Sequence, residues 1–97
     1  MFMSIRRYRI GPGQRDEVVN RVDDGWTDQL RKEPGFLSYY VVATGPDELT
    51  SMTACIDEEA LELVVQKSGE WVGTHLMGLD VHLEESRVGQ VVSHLGE

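Results

Sequence analysis

A single cysteine, Cys55, stands in 97 residues, so no internal disulfide can staple the chain. It falls inside an apolar segment with no basic neighbour in sequence to activate it, and we expect it to pack as a small hydrophobe. Positive charge is equally scarce. Nine Lys and Arg against 17 Asp and Glu give a net charge of −8 and a pI near 4.7, the wrong field for a surface that must neutralise nucleic-acid phosphates. The basic residues that do cluster, Arg6, Arg7, Arg9 and Arg15, read as a solvated sheet edge and helix start that resist edge pairing. Long apolar runs are missing too. None approaches the roughly 18 residues of a membrane span, and Arg6, Arg7 and Arg9 interrupt the N-terminal stretch before a signal-peptide core can form. We therefore expect a cytoplasmic protein without membrane or nucleic-acid partners. The three histidines, His75, His82 and His94, match no zinc spacing. Gly11-Pro12-Gly13 lacks the rest of a dinucleotide fingerprint, so neither a metal nor a bound cofactor is expected.

What is present is an ordinary globular composition, 40% hydrophobic and 27% charged, at a length that holds one core. Residues 1–97 read as a single domain. The stretch from Glu33 to Asp57 organises the rest, because Leu37 to Ala43 and Leu49 to Ile56, rich in aromatic and β-branched residues, flank a Gly45-Pro46-Asp47 turn and make a hairpin. Side chains alternate along a strand, which assigns Phe36, Ser38, Tyr40 and Val42 to one face and Leu37, Tyr39, Val41 and Ala43 to the other. Both sets are mostly apolar. A strand with no wet face needs cover on each side, helices on one and a partner subunit on the other.

Phe2 to Ile10 reads as the first strand, with Ser4, Arg6, Tyr8 and Ile10 sharing a face. From Gln14 the period becomes helical: Val18, Val19, Val22, Trp26 and Leu30 form a stripe, and the acidic residues lie largely off it. Gly25 inside this helix costs about 1 kcal/mol relative to alanine, and Pro34 ends it. Asp57 is a good N-cap for a second helix, whose buried stripe is Ala60, Leu61, Val64 and Val65. Ser68-Gly69 predicts a break that splits this helix in two, the second part carrying Trp71, Val72, His75, Leu76, Leu79 and Leu83 at helical spacing. Glu84 to Ser86 reads as a loop and Arg87 to Leu95 as the last strand. The order βαββαβ is the ferredoxin-like α+β arrangement, an antiparallel sheet with helices on one face. Two such sheets packed face to face cover the bare side, so a homodimer is the expected unit.

Four motifs in this order, Glu33-Pro34-Gly35-Phe36, the strand pair ending at Cys55-Ile56-Asp57, the Ser68 to His75 segment and Val88-Gly89-Gln90-Val91-Val92, resemble the antibiotic biosynthesis monooxygenase-like domains of the dimeric α+β barrel superfamily. The resemblance covers nearly the whole chain. It implies a dimer with a pocket between sheet and helices in each subunit, and members that oxidise aromatic polyketides to quinones without a cofactor. Haem-degrading members are similar to one another in an asparagine, a tryptophan and a histidine. Here Arg6, Val65 and His75 stand at those places, so only the histidine matches.

Within that frame His75 and Arg6 are the candidate catalytic residues. His75 follows Trp71 by four positions, which puts both on one helix face, where a neutral imidazole can take the proton of a phenol. Arg6 can stabilise the resulting anion if it points under the helices. Trp71, Trp26, Tyr8, Tyr40 and Ser4 are the candidate substrate-binding residues. Tyr39 and Tyr40 must face opposite ways, so at most one of them lines a given pocket. Each choice has a plainer alternative: a lone histidine on an apolar stripe is more often a hydrogen-bonded rim residue, and tryptophans are more often packing anchors. Two functions therefore stand side by side, a cofactor-independent monooxygenase acting on an aromatic or quinol-like molecule, and a non-catalytic dimeric binding or accessory domain of the same fold. A connected apolar pocket with convergent polar groups would favour the first, and a pocket filled by Trp26 and Trp71 the second.

Overall fold

The computed structural model describes residues 1–96. Strands β1 (Phe2–Ile10), β2 (Phe36–Gly45), β3 (Glu48–Cys55) and β4 (Val81–Gln90) form one antiparallel sheet in the order β2-β3-β1-β4. Register decides which side chains meet the helices. Ser4 lies opposite Thr53, Arg6 opposite Ser51 and Tyr8 opposite Leu49, and Tyr39 and Val41 lie opposite Thr53 and Ser51. These share the covered face. The other face carries Ile5, Met52 and Tyr40 in one row across three strands. A register shift between Phe36 and Ser38 puts Phe36 on the Tyr39 side, so strict alternation from Phe36 fails at that bulge.

The first helical run is α1 (Arg15–Arg21), a π-helical turn at Val22–Trp26 and α2 (Thr27–Arg31). Its apolar residues Val18, Val22, Trp26 and Leu30 recur at every fourth position. An ideal helix turns about 100° per residue, so each such step drifts by roughly 40° around the axis. The wider π turn takes up that drift, and Val18, Trp26 and Leu30 all end buried in one core with Ile10, Leu49 and Leu61.

The third helix departs from expectation. α3 (Glu58–His75) runs unbroken through Ser68 and Gly69, capped at its start by Asp57, whose side chain accepts from the Ala60 amide at 2.8 Å. Gly69 is exposed with no neighbour near its Cβ position. The local penalty of a glycine is outweighed by the single face on which Leu61, Val64 and Trp71 are buried. The helix instead stops just before Gly78, whose φ of 89° carries the chain into β4. Leu79 therefore lies in the connection and Leu83 in β4, not on a helix, and the strand begins at Val81 rather than Arg87. Glu84 to Ser86, expected as a loop, is part of this edge strand.

Two glycine substitutions test this architecture by urea denaturation. Gly69→Ala is expected to stabilise by about 1 kcal/mol, as at an exposed helix interior; a destabilisation would restore the break. Gly35 has φ of 82°, and a Cβ there would meet Ala60 Cβ and Ile56 Cγ1, each at 2.9 Å. Gly35→Ala is expected to cost about 1–3 kcal/mol.

Candidate ligand cavity

A cavity opens between the sheet and the helices. Its floor is Tyr8 and Ile10 from β1, Tyr39 and Val41 from β2, and Leu49 and Ser51 from β3. Its roof is Val18, Val22 and Trp26 from the first helical run and Ser68, Trp71 and Val72 from α3. The envelope to the mouth is about 480 Å³, but only about 50 Å³ can be occupied by the centres of water molecules. The accessible volume is well below the roughly 300–1,000 Å³ of small-molecule sites, so this is a narrow slot, thin enough that a flat group suits it best. The roof is set by two indoles: Trp26 and Trp71 have ring centroids 6.1 Å apart at 45°. Gly25, in the π turn, allows the approach, since a Cβ there would lie 3.1 Å from Trp71 Cζ2.

The roof is tied down beside the slot. Lys67 on α3 donates to both carboxylate oxygens of Glu33 at 2.9 Å, with Glu33 almost wholly buried. Arg21 on α1 donates from Nη1 to the carbonyl of His75 at 3.1 Å and to that of Met77 at 3.5 Å. Few polar groups reach the floor. Tyr8 accepts a hydrogen bond from Arg6 Nε at 2.9 Å. Burial pushes the Tyr39 phenol well above its ordinary range, with smaller contributions from Tyr8 and Asp23.

The expected site residues are distributed unevenly. Trp26, Trp71 and Tyr8 line the cavity. Arg6 is on the covered face but stands behind Tyr8, outside the lining. Tyr40 lies on the open face, 53% exposed, and the tyrosine of the cavity is Tyr39 instead. Ser4 is buried away from the cavity with its Oγ unpartnered. His75 is exposed at the end of α3, so it does not share a cavity with Arg6. Its ring stacks on Trp71 at 4.8 Å and 11°, and Nδ1 lies 3.2 Å from the Trp71 carbonyl. The spacing of four thus brought His75 to Trp71, outside the residues that line the slot. Ser51 and Ser68 reach the cavity unannounced; the signal for Ser51 was its alternation with Leu49 and Thr53 on one face of β3, and for Ser68 its place on the α3 stripe that continues to Trp71.

Among the described residues no cluster of His, Cys, Asp and Glu could hold a metal ion, and no helix is long and apolar enough to cross a membrane. Cys55 is fully buried, and that burial pushes its thiol up, as expected of a packed side chain.

The sequence profile for antibiotic biosynthesis monooxygenase matches residues 1–68, which leaves the end of α3 and β4 outside the matched stretch. No curated protein matches the chain. Among solved structures, a putative antibiotic biosynthesis monooxygenase from Chloroflexus aurantiacus superposes with a TM-score of 0.73 at 21% identity, over 98% of this chain and 96% of that one. SnoaB, a cofactor-independent oxygenase from Streptomyces nogalater, gives 0.70 at 16% identity, over 99% and 97%. A dimeric ferredoxin-like protein from an uncultured marine organism gives 0.77 at 12% identity over the full length of both chains. At identities this low the superpositions show the shared fold alone.

Tyr39 supplies a pH test. The folded state holds its proton more tightly than the unfolded chain, whose phenol titrates near 10.0. Its contribution is therefore intact below about pH 10 and is lost as pH rises beyond it. In Tyr39→Phe the alkaline fall of the urea midpoint is expected to be shallower than in the parent; equal slopes would place the Tyr39 hydroxyl in water.

Proposed function

Because the chain belongs to the antibiotic biosynthesis monooxygenase family, we propose that it is a cofactor-independent monooxygenase acting on a small aromatic, quinol-like molecule bound in the cavity between sheet and helices. The observation that carries this reading is the slot itself: a thin, apolar space walled by Trp26 and Trp71 with the tyrosines Tyr8 and Tyr39 at its floor. Flat aromatic ligands suit such walls, and a few hydroxyls suffice to orient them. Oxidation of a phenolic ring carbon to a carbonyl consumes one O2; one oxygen atom stays on the ring and the other leaves as water with two hydrogens from the substrate. The electrons come from the substrate, so the protein's task is to bind, orient and exclude water. This reading gives His75, stacked on Trp71 outside the lining, no proton to transfer.

The same proposal makes the working unit a homodimer. Ile5, Tyr40 and Val42 are 43%, 53% and 39% exposed on the open face, an apolar row that a second sheet would cover. A dimeric ferredoxin-like protein among the structural neighbours supports it. Tyr40→Lys is expected to dissociate or unfold the protein, because an unpaired charge buried in an interface costs several kcal/mol. Light scattering that finds the parent as a folded 10.9 kDa species at micromolar concentration would contradict the dimer.

A second reading is a binding or accessory domain without catalysis, favoured by the lack of any carboxylate or imidazole among the cavity-lining residues. An oxygen electrode separates the two. With a small quinol, the first predicts O2 uptake above autoxidation that falls roughly 10-fold or more in Trp71→Ala. Uptake equal to the buffer control, with quinol bound, would leave the binding domain.

A further inference from the structure

The π turn at Val22–Trp26 keeps the apolar stripe in line and also places Trp26 in the roof of the slot. Turns of this kind are rare inside helices and recur at functional sites. Trp26 is 3% exposed there and meets Trp71 at 6.1 Å with a 45° tilt. A ring held between two others needs them about 7 Å apart, twice a carbon–carbon van der Waals separation. The two indoles are closer than that, so a ligand ring does not enter between them. It lies between the pair and the sheet, against Tyr8, Tyr39 and Val41.

Volume then decides how many rings fit. About 50 Å³ can be occupied by the centres of water molecules, room for roughly four waters at about 10–15 Å³ each. A cavity of about 150 Å³ takes one benzene, the share of roughly five waters at about 30 Å³ of liquid volume each. The slot therefore matches one six-membered ring. The roof has little room to yield, since a Cβ on Gly25 would lie 3.1 Å from Trp71 Cζ2 and His75 stacks on Trp71 at 4.8 Å. The envelope to the mouth is far larger, about 480 Å³, so a substituent on the ring has a way out while a second fused ring beside the first does not.

We propose that Trp26, set in place by the π turn, is the specificity-determining residue of the cavity, and that it limits the ligand to a single aromatic ring and turns away fused bicyclic and larger ring systems. This inference rests on the cavity being the ligand site and holds whether or not the ligand is then oxidised. An indole is itself a fused bicycle, so Trp26→Phe vacates nearly the space that a second fused ring on the ligand adds.

The test is calorimetric titration with phenol and with 2-naphthol, which carry the same hydroxyl on one ring and on two. Apolar transfer alone favours 2-naphthol, the larger surface. The parent protein is nevertheless expected to bind phenol about tenfold or more tightly than 2-naphthol, the scale on which a filled apolar pocket rejects added carbon. Trp26→Phe is expected to tighten 2-naphthol by about tenfold while phenol changes less than about threefold, an exchange of preference that a general loss of packing does not produce. Val22→Ala, a smaller truncation in the same π turn, is expected to move the ratio the same way by about threefold, and decides the matter if Trp26→Phe does not fold. A parent that binds 2-naphthol as well as phenol overturns the one-ring limit. An unchanged or lowered 2-naphthol affinity in folded Trp26→Phe, or in Val22→Ala where that variant decides, overturns the role of the π turn and Trp26. Binding of neither compound overturns the cavity and this proposal together. One-ring selection without O2 uptake from a quinol removes only the oxygenase reading.

Discussion

Two indoles hold the helices off the sheet, and the cavity exists because they do. Trp26 comes from the π turn and Trp71 from the C-terminal part of α3; they meet at 6.1 Å, a tilted pair of a kind worth about 0.5–1.5 kcal/mol beyond the area it buries. Neither ring could sit there without its local backbone. The π turn swings Trp26 under the first helical run, and Gly25 leaves the space that Trp71 Cζ2 approaches. The Lys67–Glu33 pair and the Arg21 hydrogen bonds to His75 and Met77 then tie the first helical run and the segment after it to α3 and its end. A roof fixed in these ways keeps a thin slot from closing onto the floor.

The order of strands and helices was legible because period and punctuation agree along most of the chain. Phe2–Ile10, the Glu33–Asp57 hairpin and the Asp57 cap each satisfy local chemistry and the global fold at once. The misreadings arise where a local signal loses to packing. Ser68-Gly69 carries a turn signature, yet burial of Leu61, Val64 and Trp71 on one stripe keeps α3 continuous. β4 has little apolar alternation because it is an edge strand with most of its side chains exposed, so its Glu84-Glu85 pair looked like loop. The bulge after Phe36 hid which tyrosine faces the helices, since a one-residue slip exchanges the faces of everything beyond it. The fourfold repeat of Val18, Val22, Trp26 and Leu30 was a readable sign of the π turn; a straight α-helix cannot keep that row on one line.

The candidate site was less legible than the fold because sequence spacing reports which residues share an element face, not what lies across from that face. Trp71 and His75 are neighbours as expected, but one lines the slot and the other stacks on it outside the lining. Charge placement separates the slot from a second hollow on the surface, where Arg7 and Arg9 already face Glu48 and Glu84. Among the described residues the half-buried Arg6, beside the slot, has no carboxylate partner and donates to Tyr8 instead.

The central claim is that ligands enter between the sheet and the helices, not onto the open face of the sheet. It is tested most directly by following the amide and indole NMR signals of the protein during titration with a small phenol. The account predicts that both indole N–H signals, from Trp26 and Trp71, and the amides of Tyr8 and Tyr39 shift together with one saturation curve, while Ile5 and Val42 stay in place. Saturable shifts confined to Ile5, Tyr40 and Val42, with both indoles unmoved, would contradict it.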